Sequence, residues 1–174
     1  MDGGCELAAA ALRRRHAGGG RRALAPRICA ARGALYFWAL SASLQAVLTP
    51  DLGQSFPDLL FFTYFATHSG AIAAACLLVF GMRRAPGPKA VWRVYAITLA
   101  FACVAAVGTW LTGGNYMFLR HKPARGSLLD FMGPWPVYIL VAAVLALVMF
   151  FALAGLARLS SGRSVPGRMS RQAG

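Results

Sequence analysis

Acidic residues are nearly missing from this chain. It has five Asp and Glu against eighteen Lys and Arg, and charged residues of both signs make up only 13% of its 174 positions. A soluble domain of this length needs a charged surface that such a sequence cannot supply. Cysteines are few and unpatterned: Cys5, Cys29, Cys76 and Cys103 form no CxxC pair and no framework spacing. Neither disulfides nor a zinc cluster is expected from them, and nothing else points to a metal or cofactor. No cleavable signal peptide is expected either, since the N-terminal residues place acids before bases and have only a short apolar run. There are no internal repeats.

What is there instead is apolar sequence in long blocks. Val94 to Thr112 and Val137 to Leu156 run 19 and 20 residues without a charge, and Phe56 to Phe80 runs 25 residues interrupted only by Asp58 and His68. Gly33 to Thr49 adds a block of 17. A hydrocarbon core of roughly 30 Å needs about 20 helical residues. The blocks therefore predict four membrane spans.

The net charge of +13 raises the question of nucleic acid, and the placement of the charges answers it. Seven Arg precede the first span, four cations follow the second and four follow the fourth, while only Arg120, Lys122 and Arg125 follow the third. Threading the chain back and forth collects fifteen cations on one side and three on the other. This is the positive-inside pattern of a multi-pass plasma-membrane protein, with the basic loops and the C-terminus cytoplasmic. No basic patch is interleaved with aromatics or a nucleic-acid-binding motif, so nucleic acid is not expected as a partner. Membrane lipids are, with the cytoplasmic arginines drawn to anionic headgroups at about 1 kcal/mol each at best.

The fold class expected is all-α: a polytopic membrane bundle of four transmembrane helices plus a short N-terminal helical remnant. Residues 1–34 read as that remnant and a basic cytoplasmic loop, 35–159 as the transmembrane domain, and 160–174 as a disordered cytoplasmic tail. Tyr36 and Trp38 are expected as interfacial anchors at the inner end of the first span. Ser41, Ala42 and Ser43 are small enough to let a neighbouring helix approach closely. Pro50 and Pro57 shape a tight outer loop, and Asp58 lies where the positive end of a helix dipole favours an acid. The segment between the third and fourth spans gathers Gly113, Gly114, Asn115, Tyr116, Arg120, His121, Lys122 and Asp130 before Trp135 and Pro136. It reads either as a loop that caps the bundle or as an outward-facing site for a lipid headgroup or other anion, built from Asn115, Arg120 and Lys122. Pro136 suits a helix start, and Trp135 and Tyr138 fit an interfacial belt.

One residue stands out within the spans. His68 lies eleven residues past Pro57, roughly 16 Å along a helix and so near the bilayer midplane. Ionisable groups at that depth are costly and usually functional or turned into the bundle. The simplest account is a neutral imidazole donating a hydrogen bond to another helix, with Gln45 or Tyr64 as partners. A chemical account requires a nucleophile at the same depth. Cys76 is eight residues away on the same helix, about 12 Å along the axis, and cannot touch it. Cys103 at the centre of the third span and Cys5 in the N-terminal segment both share the depth of His68, and depth does not choose between them.

The stretches "LYFWALSASLQAVLTPDL", "SFPDLLFFTYFATHSG", "GGNYMFLRHKP" and "SLLDFMGPWPVYIL" resemble the bacterial YwaF-type integral membrane proteins. These are similar to the eukaryotic transmembrane protein 164 family, to which lipid acyltransferase activity is assigned. The resemblance runs from about Leu35 to the end of the fourth span. "CELAAAAL" looks like the family stretch that carries the acylated cysteine, so the resemblance implies Cys5 as nucleophile and His68 as its partner base. It also implies spans upstream of Cys5, so that the chain is N-terminally truncated relative to the family. In that chemistry a thiol in a low-dielectric medium stays protonated until an adjacent imidazole accepts its proton. An acyl-thioester then forms from a phospholipid donor, and a second lipid hydroxyl takes the chain. Asn115, Tyr116 and Lys122 would hold headgroups or a developing oxyanion. The competing reading is a non-catalytic membrane protein, a small transporter or a scaffold, with His68 structural. The lack of Asp and Glu within the spans, apart from Asp58 at an edge, argues against a proton-coupled pump.

Overall fold

The computed structural model describes residues 19–83 and 85–161. Among them the only regular secondary structure is helical, and four helical runs form the bundle. Helix α1 comprises Gly19–Trp38, a π-helical turn Ala39–Ser43, and Leu44–Leu48. Helix α2 is Leu59–Cys76, prolonged by a second π-turn, Leu77–Gly81. Helix α3 is Pro88–Thr112 and helix α4 is Val137–Ser161. Between α3 and α4 lie two short 3-10 turns, Tyr116–Phe118 and Leu128–Met132. Leu59–Gly81, Lys89–Thr112 and Val137–Ser160 are each long and apolar enough to cross a membrane. The apolar part of α1 is shorter, and Arg27 and Arg32 interrupt the helix before it.

The helix ends follow from local chemistry. Asp58 is the N-cap of α2, its carboxylate accepting from the Leu60 amide at 2.7 Å, which satisfies one of the donors that every helix start leaves open. Pro88 opens α3 at a position where a missing N–H costs nothing. Gly113 closes α3 at φ 71, a left-handed conformation that a side chain would strain. The N-terminal boundary of α1 differs from expectation: residues 19–32, anticipated as part of a basic loop, are helical. The composition explains it, since Ala, Leu and Arg are good helix formers and a helix does not have to stop at the bilayer surface.

Helix α1 is the hub, packing against each of the other three. The buried cluster joins Tyr36, Phe37 and Ala39 of α1 to Ala75 and Val79, to Val91 and Val94, and to Phe150, Ala154 and Ala157. All of these lie in the half of the bundle nearer Arg32 and Arg158. Toward the other end only Ala105, Met132 and Tyr138 are buried among the described hydrophobics. At Gly33 a Cβ would stand 3.2 Å from the Val94 side chain, so the close crossing of α1 and α3 depends on that glycine.

Polar pins complete the packing. Tyr36 Oη donates to the Leu153 carbonyl at 3.0 Å, Trp38 Nε1 to Thr98 Oγ1 at 2.8 Å, and Tyr95 Oη to the Ala143 carbonyl at 3.2 Å. Such interhelical bonds within a bilayer average about 0.6 kcal/mol each. They overturn one expectation: Tyr36, at 1% exposure, and Trp38 face the bundle rather than anchoring at the interface. A phenol or indole that finds a carbonyl or hydroxyl on a neighbouring helix has no need of water.

Candidate functional site

His68 sits nine residues into α2, about 14 Å from the helix start. It is half-buried, and its ring lies 4.6 Å from that of Tyr64, inclined at 60°. Neither expected hydrogen-bond partner is bonded to it. Gln45 Nε2 donates to Thr49 Oγ1 at 2.8 Å within α1, and Tyr64 Oη donates to the Ala46 carbonyl at 2.9 Å. His68 makes no hydrogen bond among the described residues, so the simple structural account of it is not realised there.

The neighbourhood is set by α1. Helices α1 and α2 are antiparallel, and the Tyr64–Ala46 bond fixes their register. Following each helix one turn from that bond places His68 level with Ala42, inside the π-turn Ala39–Ser43. This turn is the part of α1 packed most closely on α2, as its small side chains allow. π-Turns inside α-helices occur frequently at functional sites.

The cysteines are distributed as follows. Cys103 is a free, exposed thiol on α3, about 14 Å from the end of that helix and so at a depth like that of His68. Helix α3, however, packs on α1 and α4 and shares no extensive contact with α2, so the fold does not bring Cys103 to His68. Cys76 is a free, half-buried thiol two turns below His68 on α2. Cys29 on α1 is disulfide-bonded, which corrects the expectation that the cysteines form no disulfide. Pairing depends on where the fold brings Cβ atoms together, and spacing alone does not display that. Cys5 lies outside the described residues.

The segment between α3 and α4 is ordered by its own polar groups. Asn115 spends its whole amide there. Its Oδ1 accepts from the amides of Arg120 and His121 at 3.0 and 3.2 Å, and its Nδ2 donates to the His121 carbonyl at 2.8 Å while lying 3.0 Å from His121 Nδ1. Arg120 reaches back to the Gly113 carbonyl at 2.9 Å. Lys122 Nζ stands 4.0 Å from Asp130 Oδ1 and 5.6 Å from the centroid of the Tyr138 ring. The Asp130 carboxylate in turn accepts from the Ser127 amide at 2.7 Å. Trp135 Nε1 donates to the Leu119 carbonyl at 3.1 Å and Tyr138 Oη to that of Phe118. Trp135 is 63% exposed and fits an interfacial belt, whereas Tyr138, at 2%, is buried under the loop. Tyr116 is half-exposed, its amide donating to Thr109 Oγ1 at 3.2 Å. The segment is therefore a cap built on α3 and α4, with Tyr116 and Lys122 partly open and Asn115 turned inward. Sequence reasoning singled out Asn115 for a ligand; its position six residues before His121, between turns, was the signal for an internal role.

A family model, the TMEM164 family, matches residues 25–154. The match takes in His68, Asn115, Tyr116 and Lys122 and begins after Cys5. No curated protein and no solved structure matches the chain.

Proposed function

This integral membrane protein belongs to the TMEM164 family, and from that premise we propose that it is a thiol-dependent lipid acyltransferase. The observation that carries the reading is His68: an imidazole in the middle of an apolar helix that commits neither ring nitrogen to a described residue. A basic nitrogen kept free at such a depth is expensive unless it has work to do. Cys5, as a reduced thiol, is the nucleophile in this reading. As its sulfur bonds to the acyl carbonyl carbon of a phospholipid ester, His68 accepts the thiol proton. The ester C–O bond then breaks, and the departing lysophospholipid oxygen takes that proton from the imidazolium. In the second half-reaction the hydroxyl of an acceptor lipid attacks the thioester and gives its proton to His68. The thiolate leaves and recovers the proton, so nothing is oxidised or reduced. The thinner packing of the bundle on the side of the α3–α4 segment supports lipid entry there. Tyr116 and Lys122 would meet the headgroup, and Asn115 would act by holding the segment in shape.

The test is to trap the intermediate. The purified chain, kept with a phosphine reductant so that all cysteines are free and no added thiol cleaves a thioester, is incubated with a heavy-acyl phospholipid and digested for mass spectrometry. An acyl mass on the Cys5 peptide, removed by hydroxylamine and missing in Cys5→Ser, is expected. An unmodified Cys5 peptide at every time point removes the proposal. It would leave the alternative, a small transporter or scaffold with His68 structural, which the inward saturation of Asn115 favours.

Orientation belongs to the same reading: the end bearing Arg27, Arg32, Lys89 and Arg158 is cytoplasmic, in the plasma membrane, and the end bearing Arg120, Lys122 and Arg125 is outside. In intact cells a membrane-impermeant maleimide should label Arg125→Cys and spare Arg158→Cys, each built in a chain whose native cysteines are changed to serine. The reverse labelling would invert the topology.

A further inference from the structure

We propose that Tyr64 is a positioning residue for the His68 imidazole, a role that rests on His68 acting as the base. It begins with a proline. In an α-helix the carbonyl of residue 46 would accept from the amide of residue 50, but Pro50 has no N–H. The Ala46 carbonyl is thus left without its helical donor at the end of α1. Tyr64 Oη fills the vacancy at 2.9 Å. That bond ties the tyrosine to a second helix and fixes its ring. One turn further along α2, the His68 ring rests against it, with centroids 4.6 Å apart. Phe65 closes on Tyr64 edge-on, at 5.4 Å and 76°.

His68 needs such support because it has no other. The second torsion of a histidine is broad and roughly two-fold, so a ring without a hydrogen bond is poorly fixed in orientation. The frequent remedy in acyl-transfer sites is a third polar group bonded to the second ring nitrogen. Among the described residues Asp51, Asp58 and Asp130 all lie toward the other end of the spans, and none bonds His68. Opposite stands Ala42 in the π-turn, and beside it Ser69 and Gly70, all too small to confine an imidazole. Ring packing against an anchored tyrosine takes the place of the missing carboxylate. It leaves both nitrogens open, one to receive a proton and the other to stay protonated.

The test uses the full chain in phospholipid nanodiscs with labelled histidine and phenylalanine, the His68 signals being identified by their loss in His68→Ala. In the parent chain the ring protons of His68 should be shifted by the ring current of Tyr64. Tyr64→Leu should abolish that shift and lower kcat roughly tenfold to a hundredfold with KM little changed, the size expected of a misplaced reacting group. Tyr64→Phe keeps the ring and loses only the anchor, so it should retain most of the shift and stay within about tenfold of the parent rate. An unchanged His68 spectrum in Tyr64→Leu overturns the positioning role whatever the activity. So does a full rate in Tyr64→Leu when His68→Ala is inactive. If His68→Ala is itself fully active, the base assignment fails, and with it the catalytic meaning of a lost shift. The Phe37 and Phe150 signals of the packed core, unchanged in each variant, establish that the fold is kept.

Discussion

Replacing His68 with alanine should lower the rate of acyl transfer by roughly 10²–10⁴-fold, the range for a positioned general base. The loss should fall toward the upper end, because hydrocarbon offers no water to take the thiol proton in its place. His68→Gln separates basicity from hydrogen bonding: it preserves polar reach and removes the proton acceptor, so it should be about as inactive as alanine. The measurement is lipid profiling of membranes containing the parent chain, His68→Ala and Cys5→Ala, with helix content checked for each. Acyl distributions unchanged across all three would dispose of the enzyme. A loss with Cys5→Ala alone would keep the nucleophile and assign His68 to structure.

The second large effect lies in the packed half of the bundle. Phe37 is fully buried, its ring 4.9 Å from Phe150 and 5.3 Å from Tyr36. It fills the joint between α1 and α4 beside Val91 and Val94 of α3. Phe37→Ala should destabilise the protein by about 3 kcal/mol, at the low end of the range for large-to-small core changes. The low end applies because expulsion from water drives helix association weakly inside a bilayer, which leaves mainly the lost dispersion contacts. Phe37→Leu, which refills most of the space, should cost less than half as much. Reversible denaturation in mixed micelles reads both. A cost for Phe37→Ala below about 1 kcal/mol would mean that α1 is not the hub of the fold.

Much of the bundle could be read from blocks of sequence. Phe56–Phe80, Val94–Thr112 and Val137–Leu156 mark α2, α3 and α4 to within six residues at each end, because length and apolarity are the conditions for crossing a hydrocarbon core. Asp58, Pro88 and Gly113 punctuate the helices through side-chain and backbone chemistry that any sequence displays. The extension of α1 back to Gly19 was not legible, since a basic stretch of Ala, Leu and Arg suits a loop or a helix equally until something supports it. Of the site, His68 was conspicuous as the one imidazole within an apolar run. Its freedom from Gln45 was not legible, because that glutamine turns to Thr49 on its own helix. Nor was the inward commitment of Asn115, which depends on two amides, Arg120 and His121, brought within reach by the turn.

The sequence by itself determined that this is a helical membrane protein, where its apolar helices run, and that one imidazole lies deep within them. Hydrocarbon accepts only segments whose backbone polar groups are satisfied internally, and long apolar helices meet that condition whatever surrounds them. Only the tertiary structure decided which way each side chain faces. In water a helix has a polar side and an apolar side, and the pattern reports its orientation. In a membrane both the lipid and the bundle are apolar, so the pattern says nothing about rotation. Whether Tyr36 would anchor at the interface or hold Leu153, and whether Tyr64 would face lipid or bind Ala46, was settled by which carbonyl a neighbouring helix brought within reach.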